Sequence, residues 1–142
     1  MHFVFTFDSM KTFYGLIFFM LLAGGCGNQK YPAASTALEG GREFIDGCLK
    51  GDFEKASSYM IDDEANESSL LKIKRDYNLK SAEKKHSYAT ASIIINEDET
   101  LNDSTHIINY KNSYDKIARK VKVIKRDDKW LVDFAYTFNG NL

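Results

Sequence analysis

No apolar run in this sequence is long enough to span a bilayer. A spanning helix needs about 20 apolar residues. The longest run, Phe13–Ala23, has about 11, or roughly 17 Å of helix at 1.5 Å per residue. Charge of one sign is lacking too: 19 Lys and Arg meet 20 Asp and Glu, for a net charge of -1. The charges are interspersed, so no basic surface argues for nucleic acid as a partner. Histidine is scarce, with only His2, His86 and His106, and no Cys/His spacing suits zinc. Asp62, Asp63, Glu64 and Glu67 cluster, but without the alternating oxygen ligands and turn glycine of a calcium loop. They read as a solvated acidic loop, and no metal site follows. There is no internal repeat, no low-complexity tract and no catalytic motif, and nothing requires a cofactor. Residues 26–142 amount to one domain, with enough aromatic side chains for a core.

The chain is organised around Met10–Cys26, MKTFYGLIFFMLLAGGC. Met10 and Lys11 form a short positive start, and the apolar run follows. Ala23, Gly24 and Gly25 let the backbone lie extended in a peptidase cleft, and a cysteine comes directly after. That length suits the apolar region of a signal peptide. The segment resembles a bacterial lipoprotein signal with its lipobox, in which the cysteine thiol receives a diacylglycerol and the chain is cut before it. The usual pattern has Leu three residues before the cysteine; here that residue is Ala23, with Leu22 one step earlier. The resemblance implies removal of residues 1–25, lipid on Cys26, membrane attachment through that lipid and a place in the cell envelope. Gly27, where Asp would favour retention at the inner membrane, implies the outer membrane. The alternative is an ordinary secretory signal that leaves Cys26 a free thiol, a liability in an oxidising compartment. With Cys26 on lipid, Cys48 has no disulfide partner and reads as a small buried apolar residue. Met1–Ser9 sets Asp8 ahead of the positive start, so translation is expected to begin at Met10.

Gly27–Ser35, with the sole proline Pro32, reads as a tether of at most about 30 Å. A domain is expected over 36–142. Thr36 and Glu39 have capping-box spacing. Ala37, Gly41, Phe44, Ile45, Cys48 and Leu49 then make one helical stripe, and Gly51 ends the helix. Gly40, Gly41 and Gly47 each cost that helix about 0.8–1 kcal/mol against Ala, which implies close approach of another backbone. Asp52 caps a second helix to about Met60. Ile61–Glu67 reads as the acidic loop, Ser68–Asn78 as a third helix and Ser81–Lys85 as a further helical turn. From Ser87 the period becomes two. Strands are expected at Tyr88–Asn96, Ser104–Lys111, Ile117–Arg126 and Trp130–Phe138, joined by a polar loop at Glu97–Asp103 and turns at Asn112–Asp115 and Asp127–Lys129. Helices first and strands after give an α+β fold, with the helices on one face of a four-stranded antiparallel meander.

This order, the glycine-aspartate corner after the first helix, and the closing Asp-Lys-Trp-Leu-Val-Asp segment resemble the nuclear-transport-factor-2-like (cystatin-like) superfamily. The resemblance spans about Ala37–Phe134, and is nearest to small bacterial lipoproteins of unknown function. It implies a bent sheet closed into a cone with a pocket inside, and pairing of some members through the open sheet face. Leu131, Ala135, Ile124 and one of Ile107 or Ile108 fall on the face away from Trp130, which suits a homodimer through that face. In superfamily enzymes an Asp or His base and a Tyr donor line the pocket. The residues that could do so here are His106, Tyr88, Tyr110 and Arg119. Asp133 falls on the wrong face for a pocket base. Trp130 packs on the first helix or lines a ligand cavity. No motif fixes a catalytic geometry, so the expectation is a membrane-anchored, non-enzymatic lipoprotein binding a small apolar ligand or a partner protein. The alternatives are a cofactor-independent isomerase or lyase and a structural accessory of an envelope complex.

Overall fold

The computed structural model describes residues 30–138; the leader, Cys26 and the last four residues lie outside the described residues. Helix α1, Ala37–Lys50, begins where Thr36 Oγ1 accepts from Glu39 N at 3.1 Å. The return arm of that cap reaches one residue further back than the capping box predicts. Glu39 Oε2 accepts from both the N–H and the hydroxyl of Ser35 at 2.7 Å. The helix ends at Gly51, whose φ of 74° is left-handed, a conformation glycine adopts without strain. Asp52 then caps α2, Phe53–Ser58, by accepting from Lys55 N at 3.0 Å.

The acidic segment is largely helix rather than loop. Asp63 Oδ1 accepts from Asn66 N at 2.8 Å and starts α3, Glu64–Asn78. Glu64 and Glu67 thus sit in its first turn, where carboxylates favour the positive end of the helix dipole. The helical turn expected after Ser81 extends into a full helix, α4, Ala82–Ala89. Tyr88 therefore lies on a helix and not on a strand.

Strand β1 runs Ile93–Asn102 and takes in most of the segment expected as a polar loop. It pairs with β2, Thr105–Asn112, and the register slips between Ile95 and Glu97. Asn96 is the extra residue of a bulge, which bends the strand and reverses which side chains face inward. Strands β3, Arg119–Arg126, and β4, Lys129–Asp133, complete the antiparallel order β1-β2-β3-β4. The Asp127-Asp128 turn between them has φ of 50° and 58°, the mirror-image geometry that matches strand twist.

The fourth strand is shorter than the alternation of Trp130, Val132, Phe134, Tyr136 and Phe138 predicts. It stops at Asp133, and Phe134–Phe138 form a short helix, α5. Asp133 Oδ1 accepts from Tyr136 N at 3.2 Å, and Asn66 Oδ1 accepts from Phe134 N and Ala135 N at 2.7 and 2.9 Å. These caps offer the backbone a helical alternative to the ladder. Ala135 turns inward, and Tyr136 is exposed.

The helices cover one face of the sheet. Phe44 and Ile45 of α1 pack against Ile108, Val121, Val123 and Val132, all six almost wholly buried. Burying each such side chain is worth about 1.5–3 kcal/mol. The close approach of another backbone expected at the α1 glycines is present at two of the three: a Cβ on Gly40 would lie 2.7 Å from Trp130 O and one on Gly47 2.8 Å from Ala56 N, whereas Gly41 makes room for the Ile108 side chain. The outer edge of β4 is not open. Ile61 N donates to Val132 O at 3.0 Å and Val132 N to Tyr59 O at 2.8 Å. The last part of the expected tether is docked too: the Tyr31 hydroxyl donates to the Asp52 carboxylate, Pro32 O accepts from the Tyr59 hydroxyl at 2.8 Å, and Ala34 is buried.

Candidate functional site

Between α1, α3, α4, α5 and the β2–β3 end of the sheet lies a cavity of about 620 Å³. Its apolar walls come from four directions. Phe44 and Leu49 project from α1, Ile73 from α3, Val121 from β3 and Phe134 from α5. The Phe44 and Phe134 rings meet at 5.0 Å between centroids, which joins α1 to α5 across one wall. The size and apolar lining suit a small organic ligand.

At one end the wall is a closed polar knot built on the turn after β2. Asn112, 1% exposed, folds its Oδ1 back onto the N–H groups of Tyr114 and Asp115 at 3.0 and 2.9 Å. Its Nδ2 donates to Asp115 Oδ1 at 3.0 Å. Arg119 grips Asp115 with both prongs, at 3.0 and 2.6 Å, and Tyr88 donates to the same carboxylate at 3.3 Å. Burial opposes ionisation of Asp115, but the Arg119 guanidinium, the Ile117 N–H and the Asn112 amide outweigh it and hold the carboxyl at about 2. A carboxyl so acidic is a poor proton acceptor near neutrality. Arg119 is equally committed, and its hydrogen bond to Asp115 raises its pKa further.

Two groups on the deeper wall are different. The Cys48 thiol is pushed up to about 12 by burial, which keeps it a neutral, unreactive thiol. The Tyr110 phenol is pushed well above the ordinary tyrosine range, also by burial. It makes no hydrogen bond within the described residues, yet no polar side-chain atom among them is both sealed from solvent and unpaired. Its hydroxyl therefore opens on the cavity that Tyr110 lines.

No protein-family model matches the chain, and a search of curated proteins returns no match. A solved structure of similar shape is an NTF2-like protein of unknown function from Shewanella oneidensis MR-1. It has 16% sequence identity and a TM-score of 0.46, over 67% of this chain and 89% of that one.

Of the residues the sequence singles out, Tyr88, Tyr110 and Arg119 border the cavity, Tyr88 from a helix. His106 and Trp130 lie at the other end of the helix-facing side of the sheet, away from its lining. His106 Nδ1 sits 2.8 Å from Asp98 Oδ1, and its ring stands edge-on to Trp130 at 5.3 Å. The bulge at Asn96 makes that contact, because it turns Asp98 to the face that His106 occupies. Asp133 points to neither place; it caps α5 and meets Lys122 Nζ at 3.3 Å. Reasoning from sequence missed Asp115 and Asn112, whose positions in a turn read only as a link between strands. An Asn followed three residues later by Asp and seven later by Arg is too common a pattern to mark the knot.

Proposed function

We propose that this chain is a lipid-anchored protein of the bacterial envelope, on the outer membrane, whose nuclear-transport-factor-2-like domain binds a small, largely apolar ligand without chemistry. The cavity is the observation that carries the binding part. Its walls are largely aromatic and aliphatic, the one carboxylate of the lining, on Asp76, is exposed, and Arg119 at the polar end is spent on Asp115. The anchoring part rests on the leader and Cys26. Docking of Tyr31 and Ala34 onto the domain supports a short leash. Only Gly27–Lys30 separate Cys26 from the docked Tyr31, a reach of about 18 Å over five steps at ~3.5 Å each. A leash that short would keep the domain at the membrane, which is itself a source of apolar ligands.

Native mass spectrometry of the protein extracted from membranes tests both parts. The expected spectrum carries a diacylglyceryl mass on Cys26 and a retained small molecule, and Cys26→Ala moves the protein to the soluble fraction. A wild type already soluble refutes the anchor. A bare dimer would instead favour pairing through the outward sheet face, where Ile94 is 40% exposed. A bare monomer would favour the accessory reading.

A further inference from the structure

The strands give the domain two ends. The turn between β2 and β3 lies at one, and the β1–β2 and β3–β4 turns lie at the other. A series of contacts ties the first end together. The Tyr114 ring stands edge-on to Tyr88 at 5.0 Å, Lys80 Nζ lies 5.7 Å from the Tyr88 ring, and Lys80 N donates to Tyr77 O at 3.1 Å. The Tyr77 hydroxyl donates to Lys50 O at 3.3 Å, in the last turn of α1. Gly51 and Asp52 follow, and Asp52 accepts from the Tyr31 hydroxyl. The chain that leads back to Cys26 is thus tied down at this end. The cavity opens here as well: of its lining residues, Asp76, Ala118 and Lys120 are the exposed ones. Close by in the chain stand apolar side chains in water, Leu79 at 81% exposure, Ile117 at 57% and Tyr114 at 44%. Leu79 ends α3 and the other two belong to the turn, so nothing in the fold asks for an apolar residue there. Charge divides along the same axis. Segments 50–54, 76–89 and 111–120 hold eight Lys and Arg against five Asp and Glu, whereas 97–104 and 125–130 at the far end hold three against six. Asp115 is spent on Arg119, while Lys84, Lys116 and Lys120 are exposed. Leucine, isoleucine and tyrosine among lysines suit a headgroup layer: the apolar groups enter it, and the ammonium groups meet anionic phosphates. The leash favours lipid over a protein partner, because an end held within about 18 Å of the anchor meets the membrane first.

We infer that this end of the domain is a membrane-docking surface. Leu79, Tyr114 and Ile117 sit in the headgroup layer of an anionic phospholipid leaflet, Lys84, Lys116 and Lys120 meet its phosphates, and the cavity opens onto lipid. This rests on the anchor proposed above and adds to it an orientation, a lipid class and the residues that make the contact. The hairpin end, with Leu101 and the acidic stretch Glu97–Asp103, points away from the membrane.

The test uses the full chain, purified with its lipid and placed in nanodiscs of equal parts phosphatidylcholine and phosphatidylglycerol. A tracer phosphatidylcholine carries a diazirine near the top of one acyl chain, and mass spectrometry locates the crosslinked residues. Leu79, Tyr114 and Ile117 should take up label. Leu101, 53% exposed but at the far end, is the matched control and should stay at background. Discs of phosphatidylcholine alone should lower labelling of Leu79 and Ile117 about fivefold, the factor that one basic residue contributes at an anionic surface. Leu79→Ser combined with Ile117→Ser, both at exposed sites, should strip label from Tyr114 and leave that of the leash unchanged. Labelling confined to residues 26–30 overturns the inference and leaves the anchor standing. Leu101 labelled as strongly as Ile117 also overturns it, as does labelling indifferent to phosphatidylglycerol. If the purified chain carries no lipid, the anchor fails, and the same contrast between Ile117 and Leu101, read on vesicles of the same two lipids, decides the inference by itself.

Discussion

Asn66 should be among the most costly polar side chains to remove. It is 2% exposed and lies 68 and 69 residues from the groups it serves. Its Oδ1 accepts from Phe134 N at 2.7 Å and Ala135 N at 2.9 Å, and its Nδ2 donates to Asp63 Oδ1 at 2.9 Å. The two N–H groups belong to the first turn of α5, which no intrahelical carbonyl can satisfy. Asn66→Ala strands both. Each unsatisfied buried donor costs about 1–3 kcal/mol, so the variant should lose about 2–5 kcal/mol, with the lower end applying if a water molecule takes one site. Asn66→Asp keeps the acceptor but gives up the Asp63 bond and sets a second carboxylate beside it, so it should fall between wild type and Ala. Urea unfolding reads the difference. With m of about 1–3 kcal/mol/M for a domain of this size, the Asn66→Ala midpoint should drop by about 1–2 M at unchanged m. A loss below about 1 kcal/mol, or Asp no better than Ala, refutes the reasoning. Because α5 carries Phe134 and Thr137 into the cavity wall, Asn66→Ala should also weaken small-molecule retention in the folded fraction.

The Asp115–Arg119 pair gives a dependence on pH. The Asp115 carboxyl is held at about 2, below the ordinary aspartate value of 3.8. Its contribution is therefore present above about pH 4 and disappears as pH falls towards 2. That difference is worth roughly 2 kcal/mol; thermal melts across this window should show Asp115→Asn losing less stability than wild type. Gly47→Ala should destabilise by about 1–2 kcal/mol despite the better helix propensity of Ala, because its Cβ would meet the backbone of Asp52 and Ala56 at 2.9 and 2.8 Å; urea midpoints check it. Replacing Asp127-Asp128 with Asn-Gly should stabilise by about 0.5–1 kcal/mol, since both φ values are positive, and a Tm rise of several degrees would confirm it.

Where local chemistry decides the structure, the sequence was enough. Helix α1 is legible from Thr36, the stripe through Phe44 and Ile45, and Gly51, because cap, period and stop all lie within one segment. The errors fall where a distant residue decides. Glu97–Asn102 is polar and reads as loop, yet it pairs with β2, whose ladder supplies what its own propensity does not. Tyr88 is an exception: it reads as the start of a strand although the deciding signal is local, the hydroxyl of Ser81 that accepts from Lys84 N at 3.3 Å and starts a helix running on to Ala89. For the cavity, the sequence singles out Tyr110 and Arg119, which the register sets opposite each other. It could not reveal that Arg119 is already spent on Asp115, because that depends on a turn closed by Asn112.

The misread end of β4 matters most, because it decides whether there is a cavity at all. The register pairs Lys122 with Asp133. Continued as a strand, the chain would set Phe134 opposite Val121 and Tyr136 opposite Arg119, extending the ladder along the part of β3 that borders the cavity. Instead the Asp133 and Asn66 caps turn the backbone into α5, and the edge of β3 keeps one substitute bond, from Lys122 N to Thr137 Oγ1 at 3.2 Å. The alternating apolar pattern of Trp130–Phe138 is thus satisfied in two ways: Val132 fills the core as a strand residue, and Phe134 reaches Phe44 as a helix residue. A polar side chain on α3, unremarkable in sequence, bends the last strand away and so leaves the space that Tyr110 faces.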